Sequence, residues 1–194
     1  MDHEAANLVP VDLFAAAGAE LSRVVGSLPS ARWDSPTPAG LTVREVVAHV
    51  VAGNLFAVRL LEGASASDSV AGLDIDQLGD KPIAAVTASC EAQQSAFAAA
   101  DQRLLLHHPS GDISYETFVR FRLGDLVVHA WDIAIGGKLD PTLDASLVDV
   151  LWTMVEPHLD DMRARGTFGP GASPTLPPDT TPQSRLLDAF GRRP

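Results

Sequence analysis

Residues 120–134 read RFRLGDLVVHAWDIA, and this stretch carries the strongest structural signal in the chain. Its apolar residues favour a helix, and its polar side chains at spacings of three, four and three include Arg122, Asp125, His129 and Asp132. Residues three or four apart lie above one another on a helix, so these four form one polar stripe. The spacing therefore predicts a helix on which Asp125 and His129 could together hold a single ion.

A metal site on this helix needs a third ligand, and His49 in the apolar segment VREVVAHVVAGN is the candidate. Two histidines and one carboxylate leave a coordination position open, which is typical of catalytic rather than structural zinc. Because a buried carboxylate is costly, Asp125 must be neutralised by Arg122, by a protonated histidine or by a cation. From the residues alone, a buried polar cluster without metal remains the alternative.

The hydrophobic pattern predicts an all-α protein built on a four-helix bundle with an additional helix. Thr42 followed by Glu45 is a capping box that begins the second helix, and Gly63 ends it. A connection rich in Gly, Ser and Asp follows, with room for a short helical turn. The predicted helices cover about residues 11–28, 42–62, 80–106, 115–135 and 140–166, the fifth with a kink at Pro157.

The predicted domain organisation divides the chain at Gly166. Residues 1–166 form the metal-binding bundle, and residues 167–194 form a proline-rich arm. Leu186, Leu187 and Phe190 recur at helical spacing, so the arm is expected to end in a short docked helix.

Composition and charge narrow the classes of function. A net charge of −11, from 25 acidic against 14 basic residues, disfavours nucleic acid and anionic membrane surfaces as partners. The single cysteine, Cys90, excludes an internal disulfide, and the sequence lacks a secretory signal, so a cytoplasmic location is expected. No apolar run approaches the roughly 20 residues that span a bilayer.

His107 and His108 lie beside Pro109 in a predicted loop, and no role is assigned to them.

Several motifs resemble those of a known family. WDSPTP, VREVVAHVVAGN, RLGDLVVHAWDIA, FGPGASP and LLDAFGRRP are similar to motifs of the actinobacterial branch of the DinB-like superfamily. The resemblance is closest to proteins related to the metal-binding domain of mycothiol-dependent maleylpyruvate isomerase. It implies a DinB-like four-helix bundle in which positions matching His49, Asp125 and His129 hold a divalent ion, usually zinc. The isomerase has a glutamate where this chain has Asp125.

The resemblance implies a thiol-dependent, mycothiol-type transferase or isomerase in which the ion activates a low-molecular-weight thiol toward a small electrophile. The expected partners are that thiol and electrophile, and the assembly considered is a homodimer. Arg122 would neutralise Asp125 or bind a substrate carboxylate, and Asn54 would contact substrate or form an interhelical hydrogen bond. Asp132 would orient His129. The alternatives are a non-catalytic bundle that binds a metal or small ligand, and a metal-dependent hydrolase.

Overall fold

The computed structural model describes residues 10–166 and 171–194. The predicted all-α class is confirmed, with one small β-hairpin added to the helices. The elements are α1 (Pro10–Gly26), α2 (Val43–Leu61), α3 (Ala66–Val70), α4 (Pro82–Ala99), β1 (Leu105–His108), β2 (Gly111–Ser114), α5 (Tyr115–Gly137), α6 (Ala145–Val155), α7 (Leu159–Arg165) and α8 (Pro182–Ala189).

The four long helices α1, α2, α4 and α5 form the bundle. Both α1 and α2 pack against α4 and against α5, so the apolar faces of all four meet in one core. Leu21 of α1, Val50 of α2 and Leu126 of α5 are among the side chains that are fully buried in it. This arrangement confirms the DinB-like four-helix bundle that the sequence predicts.

The start of α2 follows the predicted capping box. The backbone N–H of Glu45 donates to Oγ1 of Thr42, and the Glu45 carboxylate accepts from the backbone N–H of Thr42 at 2.8 Å. These two bonds satisfy backbone donors that the first helical turn leaves without partners. Helix α2 therefore begins at Val43, and its register places His49 on the side that faces α5.

The third predicted helix, over about residues 80–106, corresponds to α4, which is shorter than predicted. It ends at Ala99, and residues 105–114, part of which the sequence assigned to that helix, form an antiparallel hairpin in which Leu106 pairs with Ile113. The side chains alternate, because Leu106 is buried whereas Leu105 is exposed, and this period of two belongs to a strand. Gly111 takes a φ of 111° after Pro109 and Ser110, and this turn reverses the chain.

Helix α5 ends at Gly137, two residues later than predicted, and Lys138 after it adopts the left-handed conformation with a φ of 55°. Gly136 and Gly137 lie within the helix, where they allow close packing. A Cβ at Gly136 would lie 2.7 Å from a methyl of Val43, and one at Gly137 would lie 2.6 Å from a methyl of Leu28.

The predicted fifth helix is two helices. Asp144 caps α6, which therefore begins later than expected, and a 3₁₀ turn at Glu156–His158 containing Pro157 separates α6 from α7. Proline lacks the backbone N–H that a continuous helix needs, so the chain breaks here rather than bending.

The C-terminal segment packs back onto the bundle through α8. Leu186 and Leu187 are fully buried, and α8 contacts α6. The division into a bundle and an arm stays a prediction, and residues 167–170 of the arm lie outside the described residues. Across the two described ranges, no helix combines the length and the apolar character that crossing a membrane requires.

Candidate metal centre

Helices α2 and α5 bring together the three residues that the sequence singled out as metal ligands. Nε2 of His49 lies 3.5 Å from Oδ1 of Asp125, and Nε2 of His129 lies 3.3 Å from the same oxygen. One ligand atom from each of the three residues lies within 4.8 Å of the other two. The three side chains differ in burial, because His49 is 54% exposed whereas Asp125 and His129 are largely buried.

The donor set fits a divalent ion. Ligand atoms at zinc-bonding distances of about 2.0–2.1 Å and tetrahedral angles lie about 3.3 Å apart, close to both separations from Asp125. Both histidines present Nε2 toward that carboxylate. Imidazole suits zinc, nickel and iron, and carboxylate suits manganese, so the donor set is compatible with several divalent metals.

Arg122 neutralises Asp125. Its Nη1 donates to Oδ2 of Asp125 at 2.8 Å, which leaves Oδ1 turned toward the two histidines. Burial by itself would raise the pKa of Asp125, but Arg122 and then His129 hold it well below its usual range. Gly53 makes this contact sterically feasible, because a Cβ there would lie 2.7 Å from Nη1 of Arg122.

The other nitrogens of Arg122 are also bonded. Nε donates to Oε1 of Gln93, and Nη2 donates to Oδ1 of Asn54, both at 2.8 Å. Asn54 is fully buried and does not line the cavity beside the triad; its amide nitrogen donates to Ser89 and to the Cys90 sulfur. Of the two roles considered for Asn54, the interhelical hydrogen bond is the one present, and the side chain orients Arg122.

Asp132 orients His129, and it does so together with a residue that sequence reasoning missed. Oδ2 of Asp132 lies 2.9 Å from Nδ1 of His129, which leaves Nε2 of that ring for a metal. Arg192, after α8, donates to both oxygens of Asp132, at 3.2 and 2.6 Å. Burial alone would lower the pKa of His129, but Asp125 and Asp132 raise it to about 9. No spacing rule links positions 132 and 192, so only the fold reveals this pair.

The chain reaches Asp132 because Phe190 is seated against α5. Phe190 is almost fully buried, and a Cβ at Gly124 would lie 2.5 Å from its ring. Gly191 and Arg192 then follow along the edge of the site. The C-terminal segment is thus part of the candidate centre.

A cavity of about 1040 Å³ opens over the three candidate ligands. Helices α2 and α5, the hairpin turn and the residues after α8 form its walls. Besides the triad, its lining includes Leu41, Gly53, Phe56, Val70, Leu73, His108, Phe118, Phe121, Arg122 and Arg192. The centre therefore faces a space large enough for a small thiol and a second reactant.

His108, to which the sequence assigned no role, belongs to this wall. It lies in β1 rather than in a loop, it is half-buried, and its ring contacts Phe56 and Phe118 edge to face. The backbone N–H of Ser110 donates to its Nδ1 at 3.1 Å. Only the hairpin brings this residue to the cavity, and the sequence signal was a short alternation of apolar residues.

Cys90 is not a candidate nucleophile. It is buried between α1 and α2, and it does not line the cavity. Burial raises the pKa of its thiol to about 11, so the thiolate is scarce at neutral pH. Any thiol chemistry at the centre therefore needs a sulfur from a second molecule.

Comparison with known proteins identifies the family. The family model described as the mycothiol maleylpyruvate isomerase N-terminal domain matches residues 14–134. Neither the curated proteins nor the solved structures give a match. The matched range includes all three candidate ligands but ends before Arg192. Because the match covers more than half of the chain, the protein belongs to the mycothiol maleylpyruvate isomerase N-terminal domain family, as its motifs indicate.

Proposed function

We propose that the protein is a thiol-dependent transferase or isomerase of the mycothiol type, with a divalent ion, zinc in the first instance, held by His49, Asp125 and His129. The observation that carries the proposal is the convergence of these three ligand atoms in the lining of an open cavity. A divalent ion there would lower the pKa of a bound thiol and supply it as the nucleophilic thiolate.

The surrounding residues prepare the site for this chemistry. Arg122 keeps Asp125 ionised, and Asp132 holds His129 with Nε2 directed at the same carboxylate. His49 is exposed at the opening, so its side chain is accessible to an incoming ion. These contacts orient the ligand atoms and keep Asp125 ionised. The cavity beside them remains open to a thiol and a small electrophile.

Metal content and thiol consumption test the proposal together. The purified protein is loaded with zinc, and its metal content is measured for wild type, for His49→Ala and for the control His107→Ala. His107 pairs with Asp112 on the exposed hairpin and does not line the cavity. We expect His49→Ala to lose most of its metal, whereas His107→Ala retains it. Equal metal content in all three proteins would remove His49 from the ligand set.

The chemical part of the proposal is tested by incubating the metal-loaded protein with mycothiol and a panel of small electrophiles. We expect either consumption of thiol or isomerisation of an electrophile that requires the thiol without consuming it, and either reaction should depend on both the metal and His49. If no electrophile is thiolated or isomerised in the presence of the thiol, the proposal is wrong, and a bundle that binds metal without catalysis becomes the better explanation. Hydrolysis of a substrate without thiol would favour a metal-dependent hydrolase instead.

A further inference from the structure

His108 lines the cavity at a distance from the three candidate ligands. Its ring contacts Phe56 and Phe118, with centroids 5.4 and 6.3 Å away. Phe56 follows His49 by seven residues on α2. Phe118 precedes Asp125 by seven residues on α5. Because seven residues of helix rise about 10.5 Å, His108 lies about 10 Å from the ligands along the cavity.

The side chain of His108 has a hydrogen-bond donor that the protein does not use. The backbone N–H of Ser110 donates to its Nδ1 at 3.1 Å, so the neutral ring carries its proton on Nε2. Burial, and then the charge of Arg122, lower the pKa of His108, so this neutral form prevails at pH 7. Among the residues that the structure describes, no group accepts a hydrogen bond from Nε2. This N–H is therefore available to an oxygen of a ligand in the cavity.

The donor places no restriction on the charge of the ligand. A neutral N–H can serve the oxygen of a ketone, an ester or a carboxylate. Arg122 and Arg192 line the same cavity, and each donates to the protein once through Nε, once through Nη1 and once through Nη2. Each guanidinium has a second N–H on both Nη1 and Nη2, and these remain for a carboxylate elsewhere on the same molecule.

The distance to the ligands suits the adduct of a thiol with a conjugated carbonyl compound. Once the sulfur has bonded to the β-carbon, four bonds separate it from the carbonyl oxygen. A sulfur–metal bond of about 2.3 Å, a sulfur-to-oxygen span of about 5 Å and a hydrogen bond of about 2.9 Å together reach about 10 Å. A carbonyl oxygen of such an adduct can therefore meet His108 while its sulfur stays at the three ligands.

We infer that His108 is a catalytic residue that donates Nε2–H to the carbonyl oxygen of the electrophile as negative charge develops there. The inference rests on the proposed function. The thiolate sulfur bonds to the β-carbon, and the π electrons move onto the carbonyl oxygen, which accepts from His108 as an enolate. In an addition, the enolate then takes the thiol proton on its α-carbon. In an isomerisation, the bond between the α- and β-carbons rotates, the double bond re-forms and the thiolate leaves, so neither reaction needs a further reactant.

Binding of two matched thiols tests the inference without turnover. 4-Mercaptobutan-2-one has the sulfur and the carbonyl oxygen of the adduct, whereas butane-1-thiol has the same chain without the oxygen. Each is titrated into the cobalt(II)-loaded protein, in which a thiolate-to-cobalt charge-transfer band reports sulfur bound to the metal. The quantity compared is the ratio of the two dissociation constants, because a general disturbance of the site changes both constants alike.

Two substitutions at His108 separate the donor from the contact within the hairpin. In His108→Asn, the amide oxygen can replace Nδ1 as the acceptor for Ser110, but the position of Nε2 has no donor. His108→Gln has the reverse character, with an N–H near the position of Nε2. We expect His108→Asn to lower the preference for the ketone about tenfold, and His108→Gln to stay within about twofold of wild type. The control His107→Asn should match wild type, because His107 pairs with Asp112 and does not line the cavity.

The outcomes distinguish failure of the inference from failure of the proposed function. An unchanged ratio in a folded His108→Asn protein would overturn the inference alone, because sulfur would still bind the metal. An equal loss of preference in both His108 variants would assign the effect to the hairpin and would also overturn it. If neither thiol gives a charge-transfer band with the wild-type protein, the centre does not bind thiols, and the proposed function is wrong together with the inference.

Discussion

Arg192→Ala is expected to weaken both the fold and the metal site, because this side chain supports Asp132 from outside the bundle. Asp132 is fully buried and accepts two hydrogen bonds from Arg192, while His129 is its other partner. Removing one member of a buried ion pair costs about 3–5 kcal/mol. Since Asp132 keeps His129, we expect the low end, a loss of about 3 kcal/mol in the free energy of unfolding.

The same substitution should lower zinc affinity. Residues that orient a metal-binding histidine through its second nitrogen typically contribute about 10- to 100-fold to affinity. Asp132 performs this role toward His129, and without Arg192 its carboxylate is free to turn away. Urea unfolding of the metal-free protein measures the stability change. Competition with a chromophoric chelator measures the dissociation constant for zinc, after circular dichroism has shown that the variant is folded.

Arg193→Ala is the matched control. Arg193 anchors the same segment by donating to Asp188 at 2.8 Å and to the backbone oxygen of Gly171, but it makes no contact with Asp132. It should therefore reduce stability while leaving zinc affinity unchanged. If Arg192→Ala binds zinc as tightly as Arg193→Ala does, the proposed link from Arg192 through Asp132 to His129 is refuted.

Three further predictions concern packing, reactivity and pH. Gly124→Ala should destabilise the protein by about 1–3 kcal/mol in urea unfolding, because its Cβ would clash with Phe190. The control Gly26→Ala should not destabilise it, because no atom lies within 4 Å of that Cβ. Equal effects of the two substitutions would contradict the packing argument. With a pKa of about 11, Cys90 should react with a disulfide reagent at pH 8 at least about 100-fold more slowly in the folded protein than in urea, and rapid labelling would disprove its burial. In the metal-free protein the pKa of His129 is about 9 in the folded state, above its ordinary value of 6.5, so protonated His129 stabilises the fold fully below pH 6.5. About 3 kcal/mol of the free energy of unfolding is therefore lost by pH 9 and above. His129→Gln should flatten this pH profile, and a flat wild-type profile would count against the raised pKa.

The local elements of this fold are largely readable from sequence. The capping box at Thr42 and the apolar periodicity of α2 and α5 depend on neighbours along the chain, so they predict where these helices lie. The hairpin escaped prediction because its strands are four residues each, too short for alternation to be separated from a helix ending. Its stability comes from burying Leu106 and Ile113 against the bundle.

The candidate site was likewise predictable from the sequence only in part. Spacing within α5 suggested that Asp125 and His129 share a ligand, and His49 was suggested by its place in a second apolar helix. That the three converge depends on the packing of α2 against α5, which depends on side-chain shape and on glycines such as Gly53.

By itself, then, the sequence determined the helical class, the main helix boundaries near the site and the three residues proposed to hold a metal, because periodicity and capping are local properties. The tertiary structure alone decided that Arg122 donates to Asp125, Asn54 and Gln93, that His108 reaches the cavity, and that Arg192 meets Asp132 across 60 positions of sequence. Such contacts arise from burial and packing between distant segments, and no local pattern along the chain encodes them.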